Sequence, residues 1–401
     1  MNSYHFLLDI SLILLSTKVL GLLTKKFQLP QVVGALLGGL IMGPALLGLL
    51  HETEFIHQIS EIGVIVLMFC AGLETDVKEL KKTGKAAFVI AILGVLIPLG
   101  GGFVVAYLFN KPGIIDSTAN TSLFLQNLFI GVILTATSVS ISVETLKEMG
   151  KLNTRAGNAI LGAAIIDDIL GIIALTVITS MADSSVNLVV VLLKVFGFFA
   201  CSIPVGYVFY KCFKIWTERS TKDLRRFVII SFVFCLLMSY FAESLFGVAD
   251  ITGAFVAGLI IANTQRSSYI SSRFETLSYL LLSPVFFASI GLSVVLPKMN
   301  ANIIIFSVIM VVVACLTKVI GCGLGAKLFK YSNQEAIQIG VGMISRGEVA
   351  LIVASKGNEV GLMSPNFMGP VVVVVVITTI IAPVFLKLSF KASKNTTEVA
   401  N

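Results

Sequence analysis

Residues 159–178 read AILGAAIIDDILGIIALTVI, apolar throughout except for two adjacent aspartates, Asp167 and Asp168. A run of that length predicts a membrane-spanning helix. On insertion scales a carboxylate at the bilayer centre costs roughly 2.5–3.5 kcal/mol. One buried aspartate is readily explained by a hydrogen bond to a neighbouring helix. Two side by side point to use, and the chemistry that suits them is the binding of a cation or a proton.

The surroundings of this segment have the same character. The chain has 401 residues, of which 56% are hydrophobic and 13% charged, against about 25% charged in soluble domains. No polar stretch is long enough for a soluble domain, so the expected class is an all-α polytopic membrane protein and not an enzyme. The six cysteines fall in or beside apolar runs without ligand spacing, and His5, His51 and His57 lie near one end of the chain. No catalytic residue, resident metal or cofactor follows from them. The first apolar run lacks a basic leader and a cleavage site, which predicts a retained span.

Thirteen spans are predicted: 4–24, 29–50, 58–75, 85–109, 120–146, 153–181, 186–212, 225–246, 249–264, 275–296, 302–329, 334–357 and 365–391. The loops on one side, with their bordering span ends, hold 22 of the 29 Lys and Arg residues; the other side holds Lys111, Lys298 and Lys356. The positive-inside rule then places the N-terminus outside and the C-terminus in the cytoplasm. The net charge of +7 is loop charge facing an anionic leaflet, with no call for nucleic acid.

Residues 32–42, VVGALLGGLIM, resemble residues 251–261, ITGAFVAGLII, and the same offset sets Gly72–Leu73 on Gly291–Leu292. Seven spans separate each matched pair, an odd number, so the two halves would be inverted repeats, as in secondary transporters with a midplane site. The repeat pairs span 5 with span 12, and both are polar in the middle. Span 5 carries Thr135, Thr137, Ser138, Ser140 and Ser142; span 12 carries Gly340, Gly342 and Gly347. We expect both helices to be broken there, freeing backbone groups that can serve an ion.

Charges at depth complete the pattern. Lys318 lies too far into span 11 to reach water easily and needs a carboxylate. Asp167 and Asp168 point about 100° apart, so one can hold Lys318 while the other faces an aqueous cavity. Arg346 keeps its charge. Its nearest acidic neighbour, Glu348, can meet it only where the helix is broken, and can instead help hold Lys318.

The segments GLIMGP (39–44), LMFCAGLET (67–75), TATSVSISVETLKEMGKL (135–152), AAIIDDILG (163–171) and SRGEVALIVA (345–354), with Lys318, resemble bacterial sodium/proton antiporters. The likeness is to the NapA/GerN type of the monovalent cation:proton antiporter superfamily. It implies an NhaA-like inverted-repeat fold with two crossed, broken helices, a homodimer and elevator-type alternating access. Residues 1–75 and 225–296 would form the dimerisation domain, 85–181 and 302–391 the core, and 186–212 the linker helix. By position, Asp168 resembles the essential cation-binding aspartate and Asp167 the partner of the core lysine. Thr137 and Ser138 fall in the first broken helix, and Arg346 and Glu348 in the second.

The function that the resemblance implies is exchange of cytoplasmic Na+ or Li+ for external protons across the cell inner membrane, electrogenic as is general for family members with paired aspartates. K+/H+ exchange is the main alternative. A sodium-coupled organic-solute symporter is the second, and the buried lysine and paired aspartates argue against it.

Overall fold

The computed structural model describes residues 4–27, 29–115, 117–182, 188–219, 224–295 and 299–398. Lys222 and Lys298 lie outside the described residues, as do the side chains of Glu348, Lys356 and Lys394. Among the described residues every regular element is helical. In chain order these are α1 (His5–Lys26), α2 (Gln31–Met42), α3 (Glu54–Glu74), α4 (Val77–Phe109), α5 (Leu123–Ile133) and α6 (Val139–Glu148). They continue with α7 (Arg155–Ala182), α8 (Leu188–Arg219), α9 (Arg225–Phe246), α10 (Asp250–Ala262), α11 (Ser267–Leu277) and α12 (Ser283–Leu292). The last four are α13 (Ala301–Leu328), α14 (Asn333–Gly342), α15 (Glu348–Glu359) and α16 (Met368–Glu398).

Nine helices among the described residues are long and apolar enough to cross a membrane, counting α11 to α12 as one. Three more, α2, α5 and α10, are apolar but shorter. Local chemistry sets several boundaries. The Thr53, Ser122 and Asn300 side chains accept from the first turns of α3, α5 and α13, and Ser332 with Glu335 forms a reciprocal capping box on α14. Gly247 takes the left-handed conformation that closes α9. A π turn at Ser278–Leu282 joins α11 to α12 just before Pro284. Proline has no N–H for the carbonyl one turn back, so the ladder slips there.

Packing divides the helices into two sets. In one, α2 packs on α1 and α12, and α10 on α3 and α9; in the other, α4 lies against α5, α7 and α13, with α14 and α16 beside α13. Glycines make the first set close-fitting. A Cβ on Gly39 or Gly291 would strike the backbone of the facing helix at the α2–α12 contact, and one on Gly72 or Gly258 would do so where α3 meets α10. The offset of the sequence repeat turns the first of these contacts into the second. Large apolar side chains on α8, including Leu193, Phe196 and Ile203, point outward, as suits a helix bathed in lipid.

Candidate ion-binding site

The two polar stretches found in the sequence are interruptions in the structure. Residues 134–138 separate α5 from α6, and residues 343–347 separate α14 from α15. The first stretch is rich in hydroxyls that compete for backbone partners, and the second ends in Gly347. The stretches cross. Ser138 N–H donates to Ser345 O at 2.7 Å, and Ser345 Oγ donates back to Ser138 O at 3.0 Å. Ser142 Oγ donates to Gly342 O at 2.5 Å, satisfying a carbonyl at the end of α14. A Cβ at Gly347 would sit 2.9 Å from Ser138 Oγ, so the crossing leaves no room for a larger residue.

Arg346 is 1% exposed and sits at this crossing. Its guanidinium donates to Ile344 O at 2.5 Å, Leu134 O at 2.8 Å and Ala314 O at 3.0 Å. Leu134 caps the C-terminal end of α5 and Ile344 lies just past that of α14. A permanent positive charge therefore faces the negative ends of both half-helices. Thr379 Oγ1 donates to Arg346 O and ties the second stretch to α16. The acidic neighbour considered for Arg346, Glu348, starts α15.

The aspartates lie on α7. Lys318 Nζ donates to Asp167 Oδ1 at 2.9 Å and Oδ2 at 3.1 Å. Both side chains are essentially inaccessible, at 0% and 1% exposure for Lys318 and Asp167. A buried pair of this kind is costly to break, because either partner alone is an uncompensated charge. Asp168, next along the helix, is only partly buried. Adjacent residues thus occupy different surroundings, one sealed against a lysine and one partly exposed. Thr137 Oγ1 is buried beside Asp167 and makes no hydrogen bond of good geometry to any described residue. A buried hydroxyl and a carboxylate are hard oxygen donors, the set that suits Na+, Li+ or K+ as a transported substrate. Among the described residues there is no cluster of three His, Cys, Asp or Glu side chains able to hold a metal ion.

A cavity of about 550 Å³ opens between α1, α2, α6 and the α11–α12 segment. Lys18, Glu144, Lys147, Glu148 and Glu275 line it. Two polar contacts cross this boundary. Glu148 accepts twice from Gln31 N–H, at 2.9 and 2.8 Å, at the N-terminal end of α2, and Lys147 Nζ meets Glu74 at 3.0 Å. Lys18 donates to the Tyr279 hydroxyl.

The Asp167–Lys318 contact expected from the sequence is present, Asp168 follows on α7, and Thr137, Ser138 and Arg346 lie in the two interruptions. Sequence reasoning missed the part played by Ser345 and Thr379, whose signals are single hydroxyls in apolar helices. It also missed that Arg346 is held by carbonyls, since backbone partners leave no trace in side-chain spacing.

Crossed, interrupted helices with buried charges at the break define a secondary transporter. The chain belongs to the sodium/hydrogen exchanger family: the family's sequence model, described as the transmembrane sodium/hydrogen exchanger, matches residues 11–392. It is 39% identical to the Na(+)/H(+)-K(+) antiporter GerN of Bacillus cereus over 390 residues, covering 97% of each chain. It is 38% identical to a Na(+)/H(+) antiporter of Enterococcus hirae, over 96% of this chain and 97% of that one. Among solved structures it shares the fold of the sodium proton antiporter MjNhaP1 from Methanocaldococcus jannaschii. The TM-score is 0.67 at 19% identity, over 95% of this chain and 97% of that one.

Proposed function

We propose that the chain exchanges cytoplasmic Na+ or Li+ for external protons at Asp168, electrogenically and by elevator-type alternating access. The observation that carries this is the contrast on α7, which packs against α5, α6 and α14: Asp167 is sealed against Lys318 while Asp168 is only partly buried. Asp168 holds either the cation or a proton, so each expels the other. When the cation binds with help from Thr137, Ser138 and Asp167, Lys318 is released and gives up a second proton.

The nine long helices, α2, α10 and the two broken pairs make thirteen crossings, in an NhaA-like arrangement of inverted repeats. The matched contacts Gly39–Gly291 and Gly258–Gly72 support the repeat. Residues 1–75 and 225–296 form the fixed, dimerising unit of a homodimer, 186–212 the linker, and 85–181 with 302–391 the moving core. The Glu148 and Lys147 contacts join the two units on one side of the cavity, and they are the contacts an elevator stroke would break. The protein sits in the cell inner membrane with its N-terminus outside and C-terminus in the cytoplasm.

A second reading, K+/H+ exchange, is favoured by the name of GerN, which includes K+. One experiment decides both. The purified protein in proteoliposomes with an internal pH dye is titrated separately with Na+, Li+ and K+. Dequenching by Na+ and Li+ is expected. A response to K+ alone selects the second reading, and no response to any of the three overturns antiport.

A further inference from the structure

We infer that Gly94 and Cys322 are positioning residues that set the spacing of the Asp167–Lys318 pair. This rests on the reading that the pair takes part in exchange. Lys318 and Cys322 are one turn apart on α13 and share a face. Gly94 lies opposite them on α4. A Cβ at Gly94 would fall 2.7 Å from Cys322 Sγ, 3.7 Å from Asp167 Oδ1 and 3.8 Å from Lys318 Nζ. The absent side chain thus leaves a gap bounded by a thiol and both members of the ion pair, and all three are buried.

α4 is closely packed on both sides of the gap. One turn on, a Cβ at Gly325 of α13 would lie 2.7 Å from Ile90 Cα of α4, so the two backbones are already in contact. On its other side α4 is held by α7, where a Cβ at Gly162 would lie 3.1 Å from the Ala87 methyl. α4 is therefore wedged between the helix that carries Asp167 and the helix that carries Lys318. Bulk added at position 94 must displace the Cys322 thiol or α13 itself, and Lys318 moves with α13. The same bulk would line the pair with a methyl group and change how easily Lys318 leaves Asp167. Packed interiors register a single methylene in this way.

The test is a set of four proteins in proteoliposomes: wild type, G94A, C322A and the double variant. Exchange rate is measured against pH and against Na+ concentration, and thermal unfolding in detergent is followed beside it. G94A is expected to lose about tenfold in rate, the change that follows where the strain of one added methyl falls on the exchange cycle, and to shift the pH profile. The double variant, which trades the thiol for the new methyl, should return to within about threefold of wild type with the wild-type pH profile, as coupled neighbours do. A G94A protein with the wild-type pH profile overturns the inference, and so does a double variant no better than G94A. Should G94A fail to fold, Cys322→Met adds bulk from the opposite wall. It should produce the same pH shift, and a wild-type profile there also overturns the inference. Wild-type protein that exchanges no cation breaks the antiport reading instead, which keeps the two failures distinct.

Discussion

The two helix interruptions cross each other yet solve the same problem with opposite chemistry. Residues 134–138 are neutral and rich in hydroxyls, while residues 343–347 carry the fixed charge of Arg346. That one guanidinium donates to carbonyls from both interruptions, Leu134 O and Ile344 O, and Ser142 covers Gly342 O. The carbonyl ends are thereby satisfied from within the protein, as non-helical backbone at membrane depth requires. Two buried polar atoms at the crossing, Arg346 Nε and Thr137 Oγ1, have no partner of good geometry among the described residues. The second stretch supplies the compensating charge and the first supplies a buried hydroxyl beside Asp167. One buried cation, Arg346, is held by carbonyls, and the other, Lys318, by a carboxylate.

This difference can be broken in steps. Arg346→Ala should do the greatest damage. It leaves Leu134 O, Ile344 O and Ala314 O without their donor, and each unmet buried group costs about 1–3 kcal/mol. Thermal unfolding in detergent should show a large loss of stability, and a protein as stable as wild type would remove Arg346 from its structural role. Lys318→Ala comes next. It strands Asp167 as a buried, unpaired carboxylate, a loss of about 3–5 kcal/mol if the charge is retained, and it weakens or uncouples exchange. The pH profile and the charge moved per cation are the readouts, and neither would change if the Asp167–Lys318 contact were only a structural tie. Thr137→Ala should be the mildest. At most a weak contact to Asp167 is lost, so unfolding should be little altered while the KM for Na+ rises. A fall in stability with no change in KM would move Thr137 from the ion to the scaffold.

Much of this was legible in the sequence because burial of charge is costly and therefore conspicuous. Asp167, Asp168, Lys318 and Arg346 stand out in apolar runs, and the hydroxyls and glycines of the two interruptions mark helices that would not stay continuous. Gly39 and Gly258, matched in the sequence at one offset, both lie at close helix contacts in the structure. What stayed hidden shares a physical reason. The partners of Arg346 are carbonyls, Glu148 caps α2 through Gln31 N–H, and Gly94 matters by the atoms it lacks. Backbone groups and empty space carry no residue-type signal, so three-dimensional placement alone reveals them. The shift of the α11–α12 ladder into a π turn belongs to the same group: Pro284 flags a disturbance, but not its form.

The central claim is that Asp168, and not its sealed neighbour, is where cation and proton compete. It is tested most directly by Asp168→Asn in proteoliposomes, with the pH dye inside and Na+ added outside, against wild type at matched protein content. The substitution keeps the side chain's size and removes the group that exchanges its charge. The account predicts no Na+-dependent proton flux from a variant that unfolds at the wild-type temperature. Sodium-dependent flux retained by that variant would contradict it.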